Sequence, residues 1–284
     1  WRRLLGQRAF VFGAVGILII LFLALAAPLI TAHHPDAQSL MTRRLPPIWH
    51  GWFYDNPKAT WVHPLGTDKL GRDYFSRLLY GARISLLVGF VTAMCAGLIG
   101  IVLGVSAGYF GGRVDSIVSL IITTRLSIPV VLVALAAVGM FGGSLTVVIV
   151  VLSLMLWDRY AIVLRTATRQ IRSRTFIDAA QAAGASPFNI IASEVLINIV
   201  GLFIVVGTIE MANAILFEAA LSFLGMGVQP PDVSWGLMIA DARQDIFFAP
   251  YYVTIPGLAL CILVLCINLM GDGIRDAIVS KSRF

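Results

Sequence analysis

Six long apolar runs, separated by short polar or glycine-containing breaks, set the pattern of this chain. They cover about 10–30, 84–108, 116–140, 145–164, 195–217 and 248–270. Each is close to the roughly 20 residues a helix needs to cross a hydrocarbon layer. Strands of a membrane barrel need only about ten alternating residues, so unbroken runs of this length predict helices. The Phe141-Gly142-Gly143-Ser144 stretch is a tight turn between the third and fourth runs. The expected fold class is therefore all-α and integral to a membrane, with six transmembrane helices.

Composition agrees. Of 284 residues, 58% are hydrophobic and 13% charged, against about 25% charged in soluble domains. The mean hydropathy is +0.89. A net charge of +6 raises nucleic acid as a partner. The arginines flank spans instead of forming a soluble basic face, so none is expected. Cys95, Cys261 and Cys266 all sit in apolar runs, which argues against a disulfide framework or a zinc site. The first run exceeds a signal-peptide core and lacks a small-x-small cleavage pattern, so it reads as a retained span.

Lys and Arg near span ends set the orientation. Arg2, Arg3, Arg8, Arg113, Arg159, Arg165, Arg169, Arg172, Arg174, Arg275, Lys281 and Arg283 fall on one side of a six-span chain. Arg43, Arg44, Lys58, Lys69, Arg72, Arg77 and Arg83 fall on the other, in a loop that also carries Asp36, Asp55, Asp68 and Asp73. Twelve against seven places the first side, with both termini, in the cytoplasm. The long first loop carries Pro46-Pro47, Trp49, Trp52, Pro57, Trp61 and Pro64. It reads as an extended strap on the outer surface, or as a docking surface for an external partner. A second outer loop, 218–247, has apolar residues 219–224 that suit a short re-entrant or interfacial helix.

The segment 178–198, DAAQAAGASPFNIIASEVLIN, is too polar and too broken to be a span. Residues 165–183 contain neither Gly nor Pro and predict one helix. Gly184 supplies a left-handed stop, Ser186 can cap a second helix, and Pro187 suits its first turn. Ala179, Ala180, Ala182 and Ala183 remove side-chain bulk, so another surface can approach closely. Arg172 and Arg174 can meet a partner's acidic groups or lipid phosphates. An ordinary amphipathic interfacial helix fits the same spacing.

Several other residues carry two readings each. Arg125, inside the third run near Pro129, either serves the translocation path or a subunit contact, or snorkels to the surface. Glu210 in the fifth run is expected to face the bundle, at the path or a subunit contact. Asp158-Arg159 reads as an interfacial ion pair. His33-His34 with Asp36 could ligate a metal, but solvated histidines are the expectation, and no metal site is assigned. Gly97, Gly100, Gly104 and Gly108 are spaced for an interhelical seam. No nucleophile motif appears, and no catalytic residue is assigned.

DAAQAAG followed by ASPFNII resembles the coupling loop of ATP-binding cassette importer permeases, whose pattern is Glu-Ala-Ala, three variable residues, then Gly. Asp178 stands for the usual Glu. Glu194 stands where many peptide-type members have His and Ile197 where they have Pro, while Asn198 matches. HPLGTDKLGRDYFSRLLYGARISLLVG (63–89), EAALSFLGMGVQPPDVSWG (218–236) and NLMGDGIRDA (268–277) resemble the dipeptide, oligopeptide and nickel branch of that family.

The resemblance implies the type I importer permease fold, with residues 1–83 as an added span and loop and 84–284 as the core. The coupling loop would lie at about 165–193, and Asp178, Ala179, Ala180, Ala183, Gly184, Ala185, Ser186 and Pro187 would contact the ATPase. It implies a multi-pass subunit of a bacterial cell membrane. The implied partners are a second permease subunit, two cassette subunits holding ATP and Mg, an external solute-binding protein, membrane lipid and a peptide substrate. Lys58, Lys69 and Lys281 are the only lysines, and none lies in a phosphate-cradling Gly-rich loop. This chain is therefore expected to need no cofactor of its own. Nickel or another small solute fits the same motifs. A channel or secondary carrier would not need the double helix, and no internal repeat typical of carriers is visible.

Overall fold

The computed structural model describes residues 6–279. Those residues fold into twelve α-helices: α1 (Arg8–Ile30), α2 (Trp49–Phe53), α3 (Tyr74–Phe110), α4 (Gly112–Leu126), α5 (Val130–Phe141), α6 (Leu145–Met155), α7 (Asp158–Arg172), α8 (Thr175–Ala182), α9 (Pro187–Ile190), α10 (Leu196–Phe223), α11 (Trp235–Ala242) and α12 (Tyr251–Val279). No named strand occurs among them. Five helical stretches are long and apolar enough to span a membrane, and a bent pair, α4 with α5, makes the sixth. Arg2, Arg3, Lys281 and Arg283 lie outside the described residues.

Three expected helices differ in detail. The third span is broken, with α4 and α5 meeting at 79°. Pro129 has no N–H to continue the ladder, and its ring disfavours helix at Ile128. The chain ends α4 instead with Ser127 N–H donating to the Thr123 and Thr124 carbonyls. The fourth span is interrupted at Leu156-Trp157, between α6 and α7. The single helix expected over 165–183 is also two: α7 stops at Arg172, Arg174 is extended, and α8 restarts at Thr175. No residue type in the sequence marks that break.

In the second outer loop, residues 219–223 continue α10 and form no re-entrant helix. The loop's own helix is α11. Gly225, at φ +79°, ends α10, with its N–H and that of Met226 donating to the Ser222 and Leu221 carbonyls.

The strap is irregular, a succession of turns around a 3₁₀ turn (Leu40–Thr42) and the single turn α2. The 63–89 motif ties it down. Asp73 caps α3 by accepting from Ser76 N–H at 2.8 Å. Arg72 pairs with Asp68 at 2.6 Å and with Asp241 of α11 at 3.1 Å, and Arg77 reaches Asp241 at 3.2 Å. Tyr252 of α12 donates to the Thr67 carbonyl at 2.5 Å. Gly71, at φ +77°, lets the backbone pass against Ser39. This cluster joins the strap, α3, α11 and α12 into one assembly at one end of the bundle.

Two contacts of α1 follow from backbone chemistry. Pro28 cannot donate to the Ala24 carbonyl. Arg83 of α3 supplies that donor at 2.5 Å and reaches the Leu25 carbonyl at 3.0 Å. Gly13 lets α1 lie on α12, since a Cβ there would sit 2.5 Å from the Cys266 carbonyl oxygen. Phe12, Leu18, Phe22, Leu25 and Leu29 point away from the bundle and are exposed. A helix apolar on all sides with an exposed face fits a lipid solvent.

The centre of the bundle is the α3–α7 crossing. A Cβ on Gly104 would lie 2.6 Å from the Ala161 carbonyl oxygen, and one on Gly108 2.6 Å from that of Arg165. A Cβ on Gly100 would overlap Tyr160 and lie 2.8 Å from the Trp157 carbonyl oxygen. Tyr160 completes the seam by donating to the Ala93 carbonyl at 2.8 Å. The expected glycine seam is therefore a backbone-to-backbone contact. Gly104→Ala is expected to destabilise the purified chain by about 1–3 kcal/mol through overpacking. Gly139→Ala, with nothing within 4 Å of its Cβ, should be neutral or stabilising by up to about 1 kcal/mol. Thermal unfolding of both variants in detergent checks this.

Candidate functional site

Two features stand out: the α8–α9 helix pair at the end that the charge count assigns to the cytoplasm, and a set of charges inside the bundle.

The helix pair is held by its own local chemistry. Ala183 follows α8, and Gly184 takes φ +81°. Gly184 N–H donates to the Gln181 carbonyl at 2.9 Å and Ala185 N–H to the Ala180 carbonyl at 3.0 Å. These two bonds make a Schellman termination, with the left-handed residue where glycine was expected. The Ser186 hydroxyl accepts from Asn189 N–H at 3.3 Å, and Pro187 occupies the first turn of α9.

Ile177 at 0% exposure and Ile190 at 1% anchor the two helices in the core. The outward surface includes Asp178, Ala179, Gln181, Ala182, Ala183, Gly184, Ser186, Pro187 and Phe188. Ala180 and Ala185 are only half-buried and pack on the core cluster, so they support the turn instead of presenting it.

Sequence reasoning passed over Phe188, which is 77% exposed at the tip of the pair. An aromatic directly after the proline that starts a short helix is the available signal. Past α9, residues Ile191–Val195 form a π-turn, and Asn198 donates its amide to the Glu194 carbonyl at 2.7 Å. Ile197 is exposed.

The basic residues around this loop are partly spent within the chain. Asp115 of α4 pairs with Arg165 at 2.5 Å and also with Arg169. Arg172 lies over the Tyr109 ring, 5.7 Å from its centroid. Arg174 is exposed.

Inside the bundle, Asp158 and Arg159 do not pair with each other. Asp158 meets Arg125 at 3.4 Å, and Arg159 meets Glu210 of α10 at 3.1 Å. The Arg125 side chain is only 11% exposed, so it is held inward by its partner and does not snorkel. Its place in the last turn of α4 also suits a cation, because the helix dipole is negative there. Glu210 is buried at 2% exposure and also accepts from Asn213 at 3.3 Å. Arg159 is the member of this set that reaches the surface, with half its side chain exposed. In the sequence, Arg159 marks orientation and an ion pair with Asp158, and nothing there points to Glu210.

His33, His63 and Asp73 come together at the opposite, strap-bearing end. His34 points elsewhere, toward Tyr80.

Known proteins share the sequence and the fold of this chain. The family described as "Binding-protein-dependent transport system inner membrane component" matches residues 100–284, and "N-terminal TM domain of oligopeptide transport permease C" matches residues 1–47. The chain is 36% identical to the di/tripeptide transport system permease protein DppC of Pseudomonas aeruginosa, over 99% of this chain and 91% of that protein. It is also 36% identical to the dipeptide permease DppC of Bacillus subtilis, over 100% and 85%. Identity is again 36% with the glutathione permease GsiD of Pectobacterium atrosepticum, over 99% and 90%. Among solved structures, an inward-facing MetNI methionine ABC transporter chain aligns at TM-score 0.59 and 21% identity, covering 70% of this chain and 95% of that one. That likeness fixes the fold as the type I importer permease. With its four motifs in order and its spans in this arrangement, the chain belongs to the family of binding-protein-dependent transport system inner membrane components, the ATP-binding cassette importer permeases.

Proposed function

We propose that this chain is the non-catalytic permease subunit of an ATP-driven importer of short peptides. The observation that carries the reading is the α8–α9 pair: a small-residue surface, rigidly terminated, core-anchored and facing away from the bundle. A surface of that kind transmits motion only if it is stiff, and Ile177 and Ile190 make it so. Asp178, Ala179, Ala183, Gly184, Ser186 and Pro187 would meet a cassette subunit, with Phe188 entering an apolar pocket on it. Ala180 and Ala185 would hold the turn beneath them.

ATP and Mg would be held by the two cassette subunits. A second permease subunit would complete the path, and an external binding protein would deliver the solute. The relatives above are permeases for dipeptides, tripeptides and glutathione, which favours a peptide over nickel. Residues 1–83 would add a span and an outer strap to a permease core of 84–284. The termini would be cytoplasmic, in a bacterial inner membrane, as the charge asymmetry supports.

We infer that the Arg125–Asp158 and Arg159–Glu210 pairs border the path or the contact with the second permease subunit. A half-exposed guanidinium within a membrane span is costly against lipid, so Arg159 is expected to face water or protein.

Two experiments test these readings on the assembled importer. Gly184→Arg and Ala183→Trp should lower peptide uptake at least tenfold, with membrane insertion and permease levels unchanged. Uptake at the native rate in both variants would remove the docking assignment. Glu210→Leu should destabilise the subunit by about 1 kcal/mol, because it leaves Arg159 unpaired but still solvated through its exposed half. Arg159→Met with Glu210→Leu should recover most of that stability in thermal melts but not peptide transport. Native transport by the double variant would show that the pair is structural only.

A further inference from the structure

His33, His63 and Asp73 are separated by 30 and 10 positions in the chain, yet their ligand atoms lie within 4.8 Å of one another. They come from three segments. His33 follows the end of α1, His63 belongs to the strap, and Asp73 caps α3. His63 and Asp73 are buried, at 8% and 3% exposure, and His33 is half-buried. The His33 and His63 rings face each other with centroids 4.6 Å apart. Solvent was the expected surrounding for His33, and the fold instead turns it onto His63.

The hydrogen bonds show which atoms are committed. His63 Nδ1 is 2.8 Å from Asp73 Oδ1. Asp73 Oδ2 accepts from the Ser76 N–H and hydroxyl at 2.8 and 2.6 Å. The 2.8 Å separation lets one ion take the place of the proton that His63 Nδ1 and Asp73 Oδ1 share, so these two atoms can serve as neighbouring ligands. Two imidazoles with one carboxylate are borderline donors suited to zinc, nickel, cobalt or copper(II), not to calcium or magnesium.

Tetrahedral zinc with nitrogen bonds of about 2.0–2.1 Å places its ligand atoms roughly 3.4 Å apart. The observed 4.8 Å limit is wider than that by little more than an ångström, a gap that rotation of the half-buried His33 ring can close.

We propose that His33, His63 and Asp73 form a binding site for one divalent transition-metal ion on the outer face of this permease. Three protein ligands leave a coordination position for water. The ion would join the end of α1 to the start of α3, two elements otherwise linked there through Arg83. The site is distant in sequence from the docking loop and needs no ATP. It stands whether or not the imported solute is a peptide.

The test uses the purified, tag-free chain in mild detergent with Zn²⁺ as the probe. Equilibrium dialysis should show one high-affinity Zn²⁺ per chain, and Zn²⁺ should raise the melting temperature. His33→Ala should weaken binding at least tenfold and abolish the thermal shift, whereas His34→Ala, changed at the neighbouring exposed ring, should retain both. His63→Gln should match His33→Ala if the variant melts cooperatively. Failure of the native chain to bind Zn²⁺ at micromolar concentration would overturn the proposal. So would equal binding by the native chain and His33→Ala.

Discussion

Everything on the basic side of the bundle depends on how closely α3 and α7 approach. At Gly100, Gly104 and Gly108 the α3 surface is bare, and the α7 backbone at Trp157, Ala161 and Arg165 fills the space. Association of helices in lipid gains nothing from apolar transfer, since the tails are as apolar as the side chains. It must come from packing, and packing is densest where no side chain intervenes. That contact fixes the rotation of α7 about its axis. The same rotation points Asp158 at α4 and Arg159 at α10, and it aims the end of α7 at the loop that carries α8 and α9.

The charges within the bundle then act as cross-braces. Arg125–Asp158 links the broken third span to α7, and Arg159–Glu210 links α7 to α10. Neither pair need add much net stability, because removing two ions from water costs about what their attraction returns. Their value lies in specificity, since a wrong register of either helix would strand a charge in hydrocarbon. At the outer end a second set of charges, Asp68, Arg72, Arg77 and Asp241, plays a similar part among the strap, α3 and α11. The two ends of the bundle are thus braced separately, and the glycine seam starts at the level of the Asp158 and Arg159 pairs.

The sequence by itself determined the membrane class, the six apolar spans, the Gly184 stop and the Ser186-Pro187 restart. These follow from local chemistry: span length, the free left-handed conformation of glycine, and a hydroxyl able to cap. It also determined the family, because four motifs in order are a long-range pattern visible without coordinates. Only the tertiary structure decided which charges pair. Asp158 and Arg159 are adjacent in sequence but point to different neighbours, since successive helix positions do not face one another. The break at Ser173–Arg174 was equally hidden, because no glycine or proline marks it and packing of Ile177 into the core selects it. The meeting of His33, His63 and Asp73 came from the folding of a long strap over two helix ends. Contacts between residues that distant depend on how the whole chain is wound, which no local spacing records.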